Sequence, residues 1–409
     1  MFPFDSTPSI ELVKPSANGG RLCRLSVVGN DLVTESGAAG KALNASVKSF
    51  STAQEARAAW DKAFHSKLRD DFAVVRPIAE TPVGSVVLCA FASGAGAGTL
   101  LDLSPDGRFA VTVCSDAKLT RYQVEVIEVA SGARRCVFEH TDPTTQNFVH
   151  AVFFDATGGS IYLAPRGETL RIDLATGAAA RIAGYNEYAD ARFNPHVLRP
   201  HADQRRQRFV VFDVGTHVRV LDRADRVLLS VCAEAPSLEC RAARISPSGR
   251  LLAIYRASRD IHDPQRDTRN ITSVVDVWDV DAGALRTSLS MRAAVDAVGF
   301  SPDDTALLVT EYYAMGPIAY DLATGVERWR LVDDARPDEL ARSHAWDFSP
   351  DGKLLAVGHG VTVLYDAATR ARIPLEAAGL YRTPAVRFSA DGGLLASAEH
   401  NLGVVRRVR

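Results

Sequence analysis

Apolar residues along most of this chain come in short runs, rich in β-branched and aromatic types, separated by clusters of Gly, Pro, Asp and Ser. That alternation is the grammar of strands and tight turns. The stretch FSPDGKLLAVGHGVTVLYDAATR (Phe348 to Arg370) holds the whole phrase: an apolar segment, a turn tetrapeptide, a second apolar run, a loop and a third run. Proline pre-sets φ at the second turn position and glycine supplies positive φ, so Ser-Pro-Asp-Gly joins adjacent antiparallel strands.

The phrase recurs as LDLSPDGRFAV (from Leu101), ARISPSGRLLAIY (Ala243), VGFSPDDTALLV (Val298), WDFSPDGKLLAV (Trp346) and VRFSADGGLLAS (Val386). VFFDATGGSIYLA (Val152) and ARFNPHVLRP (Ala191) are weaker copies. The lead position of the turn then falls at Ser104, Asp155, Asn194, Ser246, Ser301, Ser349 and Ser389. The mean spacing of about 47 residues lies in the range of a four-stranded propeller blade. Each copy runs on into a third strand, as in VVDVWDVDAG or PIAYDLATG, and a fourth such as VERWRLV. Asp-x-x-Thr-Gly turns (Asp173 to Gly177, Asp321 to Gly325) make the later hairpin.

One four-stranded unit cannot bury both its faces; stacking units around an axis does, and closure protects the edges. Seven copies predict a mainly β chain with a seven-bladed β-propeller over residues 85–409. The last copy, from Pro384, supplies three strands. Residues 85–92 (SVVLCAFA) are therefore expected to pair with 403–408 and close the ring. The SGAGAG that follows reads as a link, because neither a P-loop lysine nor a helix pattern accompanies it.

The N-terminal part breaks the repeat. Residues 1–19 read as an arm and 20–76 as a small α+β domain. RLCRLSVVGNDLVTESG alternates about an Asn-Asp turn, which predicts a hairpin. SFSTAQEARAAWDKAFHSKLRDDF predicts a helix capped by Ser51 or Thr52, with Gln54 and Glu55 as reciprocal partners. Ala56, Trp60, Phe64 and Leu68 recur every four residues and form one apolar stripe.

The repeats resemble those of WD40-type propellers: DVWDV (Asp276 to Val280) carries the Trp-Asp pair at the end of a third strand. Other copies have Ile-Asp-Leu, Tyr-Asp-Leu or Tyr-Asp-Ala there. AYDLATGVERWRL (Ala319 to Leu331) is also similar to a quinoprotein-type repeat, a pattern that occurs once. Residues 20 to 75 resemble the WGR domain through the leading strands, ESGAAGKA, VKSF and the helix ending SKLRDDF. That resemblance implies a small sheet with a helix; in eukaryotic poly(ADP-ribose) polymerases the domain contacts DNA ends and a neighbouring domain. Here Ser36 stands in place of the tryptophan and Ala38 in place of the arginine, while Gly37, Gly40, Lys48 and Phe50 fit. The groups that would stack on or clamp nucleic acid are thus replaced.

Composition narrows the function. A formal net charge of -2 argues against nucleic-acid or anionic-membrane binding by bulk charge. No apolar run approaches the roughly 20 residues that span a bilayer, and the start lacks a basic region followed by an apolar one. Six cysteines are scattered without a CxxC pair, which suits a reducing cytoplasm. The reading is a cytoplasmic protein with no membrane partner, no metal and no cofactor.

Candidate partner-binding residues sit in the loops between second and third strands, where function rides on a rigid frame. RASRDIHDPQRDTRNITS (Arg256 to Ser273) brings Arg259, His262, Arg266 and Arg269 as a recognition loop for an acidic partner, with a disordered loop as the alternative. EYYAMGP adds Tyr312 and Tyr313 as an aromatic anchor. His217, His262, His359 and His400 fall in or beside the same slot; spread over four blades, they cannot converge on one metal ion, so His359 and His400 join the candidate partner contacts. RPHADQRRQRF is the one compact basic run, and Arg199, Arg205, Arg206 and Arg208 read either as phosphate contacts or as a solvated hairpin tip. Asp296 and Asp347 read as hydrogen-bonding groups of the blades. No Gly-x-Ser-x-Gly elbow, HExxH, Walker loop or kinase signature is present. A non-catalytic scaffold for a protein partner is expected; the alternatives are a nucleic-acid-associated protein and a propeller enzyme or quinone-cofactor protein.

Overall fold

The computed structural model describes residues 9–16, 19–92, 100–116, 118–141, 149–165, 168–184, 201–213, 217–232, 238–258, 272–291, 293–311, 316–332, 345–358, 361–377, 385–399 and 401–409. Its strands form eight antiparallel sheets. The N-terminal sheet is β1 (Ser9–Lys14), β2 (Arg21–Val28), β3 (Asp31–Ala38) and β4 (Asn44–Ser49) in chain order. Its first strand lies in the segment that the sequence suggested to be an arm: Ile10 and Leu12 alternate with exposed neighbours and pair with Leu25 and Cys23 of β2.

Helix α1 (Ala53–Arg69) starts where its cap chemistry dictates. Thr52 Oγ1 accepts from Glu55 N at 3.2 Å, and the Glu55 carboxylate accepts from Ser51 N at 3.0 Å. Its stripe of Ala56, Trp60, Phe64 and Leu68 is buried. Trp60, Phe64 and Leu68 share a cluster with Ile10, Leu12, Cys23 and Leu25 of the small sheet. The same cluster takes in Val86 and Cys89 of β6 (Val86–Phe91) and Leu402 and Val404 of the C-terminal strand (Leu402–Arg407). The helix therefore packs on its own sheet and on the body of the molecule together.

The other seven sheets follow in chain order. The first consists of β7 (Leu101–Leu103), β8 (Phe109–Ser115), β9 (Arg121–Glu128) and β10 (Arg134–Thr141). The second to sixth are likewise four consecutive strands, and begin with Val149–Phe154, His201–Ala202, Leu238–Ile245, Val295–Phe300 and Ala345–Phe348. The seventh joins Ala385–Phe388, Leu394–Glu399 and the C-terminal strand to β6 and then to β5 (Val74–Val75). Gly403 lies opposite Ala90, Val404 opposite Cys89 and Val405 opposite Leu88.

Each sheet shares an apolar cluster with the next. The shared members include Val111 with Phe154, Tyr162 with Phe209, Val210 with Ile254, Tyr255 with Val298, Leu308 with Phe348 and Leu364 with Val386. One more cluster unites Leu394 and Val405 of the seventh sheet with Leu103 and Ile127 of the first. Second strands, covered on both faces, are buried along most of their length, and wholly so in Ser160–Pro165 and Leu394–Glu399. Outer strands such as Glu327–Arg330 are mostly exposed. Continuous apolar runs inside and polar ones outside follow from this layering. At the join, buried Arg406 donates to Glu399 Oε1 at 2.8 Å, Ser397 Oγ at 2.7 Å and Glu376 O at 2.9 Å. Among the described residues no helix is long and apolar enough to cross a membrane.

Candidate functional site

The turn between the first two strands of a sheet sets what faces the centre. In the sixth sheet Ser349 Oγ donates to Asp351 Oδ1 at 2.7 Å and accepts from Leu354 N at 2.9 Å. Gly352 N donates to Ser349 O at 2.8 Å with φ +71°, the left-handed value that favours glycine. The first, fifth and seventh sheets repeat the serine–aspartate bond at Ser104, Ser301 and Ser389. Two residues before the lead position of each turn, one residue from each of the seven later sheets lines a single central cavity of about 180 Å³. These are Asp102, Phe153, His201, Arg244, Gly299, Asp347 and Arg387. The wall is therefore one structural position filled by five residue types, with Asp and Arg each used twice.

The third sheet departs from the sequence reading. Its turn is led by Asp203, not Asn194, which lies outside the described residues. Asp203 N donates to Arg208 O at 2.9 Å and Arg206 N to Asp203 O at 3.0 Å, the same backbone bonds as in the sixth sheet. Arg206 occupies the glycine position with φ +55°. Asp203 Oδ1 takes over from the serine hydroxyl by accepting from Gln207 N at 2.7 Å and Arg208 N at 3.2 Å. Burial pushes the Asp203 carboxyl up to about 6 against these N–H groups, which lower it.

Arg206 turns inward. Its guanidinium grips the Asp102 carboxylate with both terminal nitrogens, one contact being Nη2 to Oδ1 at 3.0 Å. It also donates to Phe154 O and Leu103 O, each at 2.8 Å. Asp102 Oδ2 accepts in addition from Phe154 N at 2.9 Å. Gln204 Nε2 reaches Phe348 O of the sixth sheet at 3.4 Å, and Gln204 N reaches Pro247 O of the fourth at 3.3 Å. One hairpin tip thus caps the turn-side end of the cavity by bonding to four other sheets. A buried bidentate pair with its remaining atoms satisfied is held in one geometry.

The remaining polar wall is only partly used. Asp347 accepts from Phe388 N at 2.9 Å, across to the seventh sheet, and its carboxyl is raised by burial against the opposing charge of Arg387. Arg387 itself stands 4.0 Å from Asp347, outside hydrogen-bond range. Burial, then Arg387, Arg244 and Arg206, hold the His201 imidazole well below its ordinary range, so it is neutral. His201 Nδ1 and Trp346 Nε1 are buried without a hydrogen-bond partner. The Trp346 ring fills the space a side chain at Gly299 would need: a Cβ there would meet the indole at 2.2 Å.

Of the basic run, Arg205 is exposed, Arg206 is spent inside, and Arg208 donates to Gly249 O at 3.0 Å and pairs with Asp281 at 2.8 Å. Arg199 lies outside the described residues, as do Arg259, His262, Arg266, Arg269, Tyr312, Tyr313, His359 and His400. His217 begins the third strand of its sheet, opposite Asp213 and Cys232. Among the described residues no three His, Cys, Asp or Glu side chains are placed to hold a metal ion. All six cysteines are free thiols. The sequence pointed to Asp347 as a bonding group but did not reveal Asp102, His201, Arg244 or Arg387. Counting two residues back from each turn is the signal that finds them.

No protein-family model matches the chain, and no curated protein matches it. Among solved structures, it is similar to a chain in the crystal structure of a mitotic checkpoint complex, at 16% identity with a TM-score of 0.56. The match covers 81% of this chain and 98% of that one. Because 1262 chains of solved structures match, the likeness identifies a fold and selects no activity. Successive four-stranded antiparallel sheets together with that likeness fit a WD40-type propeller.

Proposed function

We propose that the chain is a non-catalytic scaffold that binds a protein partner. In this reading residues 85–409 are a seven-bladed propeller, zipped shut by β6 on the C-terminal strand, and residues 20–76 are a small domain docked on its outside. The partner meets the mouth formed by the connections between second and third strands. The supporting observation is topological. The segments bearing the candidate contacts join Ser258 to Thr272, Glu311 to Gly316, Gly358 to Val361 and Glu399 to Asn401. Each links the second and third strands of its sheet, so all of them leave the same end of the sheets. At the opposite end the Arg206 and Gln204 side chains of the third sheet's turn are taken up by bonds within the molecule. The similar chain from the checkpoint complex belongs to a protein assembly, which favours the same reading.

The test is affinity purification of full-length wild type beside an R259A/R266A/Y312A variant, with matched thermal stability as a control. Loss of the wild-type partner by tenfold or more is expected. Unchanged recovery means that another surface binds.

A further inference from the structure

Arg387 has five N–H donors, yet the carboxylate beside it among the described residues, Asp347, is 4.0 Å away and accepts from Phe388 N. Of the other two carboxylates in the lining, Asp102 is taken up by Arg206 and Phe154 N, and Asp203 accepts from Gln207 N and Arg208 N. Among the described residues none of these three acids accepts a hydrogen bond from Arg387. His201 Nδ1 and Trp346 Nε1, on walls of the same cavity, are also without partners. Buried polar groups that find no partner within the chain call for one from outside it. The charge balance says what kind. Arg206, Arg244 and Arg387 all bear on His201 and disfavour its charged form. An anion placed among them lowers that positive potential and receives the idle donors. The cavity, about 180 Å³, admits a small molecule but not a folded segment.

We propose that the central cavity binds a small oxyanion, the phosphate or carboxylate of a small molecule, between Arg387 and His201 with the Trp346 indole beside them. Trp346 rests against Gly299 and so has a fixed ring. Arg387 supplies a planar fork that matches an oxyanion. The site is separate from the partner-binding mouth proposed above and does not depend on it.

The experiment titrates full-length protein with inorganic phosphate and, separately, with succinate, each against chloride at equal ionic strength. Thermal midpoints and the His201 imidazole resonance, assigned by its loss in His201→Gln, are followed. At tenfold saturation a rise of about 1–2 °C is expected, with a saturable shift of the His201 signal. Arg387→Gln should weaken the response at least tenfold and Arg387→Lys should restore part of it. A response to phosphate alone assigns a phosphate ligand, and one to succinate alone a carboxylate. Wild type that responds to neither anion overturns the proposal, as does an Arg387→Gln variant that binds like wild type. Should Arg387→Gln not fold, the presence or absence of the His201 shift in wild type decides.

Discussion

The turns of the third and sixth sheets share a backbone and almost nothing else. Ser349–Leu354 and Asp203–Arg208 make the same pair of main-chain hydrogen bonds and pass through the same left-handed position. In the sixth sheet that position is Gly352, and the turn is mostly a local device of serine, aspartate and two N–H groups, with a tie beyond it from Arg409 Nη2 to Asp351 Oδ1 at 2.5 Å. In the third sheet it is Arg206, and the turn becomes a long-range one, bonded to the first, second, fourth and sixth sheets. A left-handed non-glycine residue costs conformational energy. The guanidinium that this cost places in the cavity ties the ring together across its centre. Turn geometry can be kept while turn chemistry is exchanged for a cap.

The comparison breaks hardest at Arg206. Arg206→Ala leaves the Asp102 carboxylate buried without its counter-charge, so a loss of about 3–5 kcal/mol in denaturant unfolding is expected. Arg206→Gly loses the same pair but relieves the positive φ, and should stand about 1 kcal/mol above the alanine variant. Equal stability of the two would mean that the turn carries no strain. A loss below about 1 kcal/mol for both would show that Asp102 finds other partners.

Asp203 sharpens the comparison through pH. Its native carboxyl titrates at about 6, above its ordinary 3.8, because burial disfavours the charge. The native state thus holds this proton more tightly than the unfolded chain. Its contribution to stability is complete below about pH 4 and is lost as pH rises to about 6, roughly 2–3 kcal/mol over the window. Asp203→Ser rebuilds the turn lead of the sixth sheet and removes this term. The fall in stability between pH 4 and 6 should be shallower in the variant; an unchanged slope places the proton elsewhere.

The same two turns explain what could be read from the chain in advance. Ser-Pro-Asp-Gly is legible because each residue performs a local task that no neighbour can take over. Asp203-Gln204-Arg205-Arg206 does the same work with a carboxylate for the hydroxyl and a strained arginine for the glycine. Pattern reading therefore settled on Asn194, nine residues early. The apolar stripe of α1 was legible from its period, whereas its contact with the C-terminal strand joins residues about 340 apart, beyond any periodic signal. Cavity residues are the least visible. Asp102, His201, Arg244 and Arg387 share a register but not one residue type, so no local motif marks them.

A reciprocal exchange has a smaller effect. Gly352→Arg puts a side chain at φ +71°, where its Cβ would meet Pro302 Cβ and Cγ at 3.3 Å. The other observed arginine at this position gains Asp102; this one displaces no existing bond of Ser349 or Asp351. Only backbone strain and crowding change, so a loss of about 1–2 kcal/mol is expected in denaturant unfolding. A loss as large as that of Arg206→Ala would show that the glycine turns hold the ring as strongly as the cap does.

Arg205 supplies the smallest effect and the cleanest contrast, because it neighbours Arg206 in sequence and shares its side-chain chemistry. It is exposed at the tip of the turn, and the cap is built from Gln204 on one side and Arg206 on the other. A solvated cation carries no desolvation penalty and leaves no buried carboxylate behind when it is removed. Arg205→Ala should change stability by less than about 0.5 kcal/mol, measured beside Arg206→Ala under identical salt. The ratio of the two effects then isolates burial, since charge and position along the chain are nearly the same. If Arg205→Ala instead costs more than about 1 kcal/mol, the cap depends on the positive charge of the whole tip, and the single buried pair with Asp102 is not what closes the cavity.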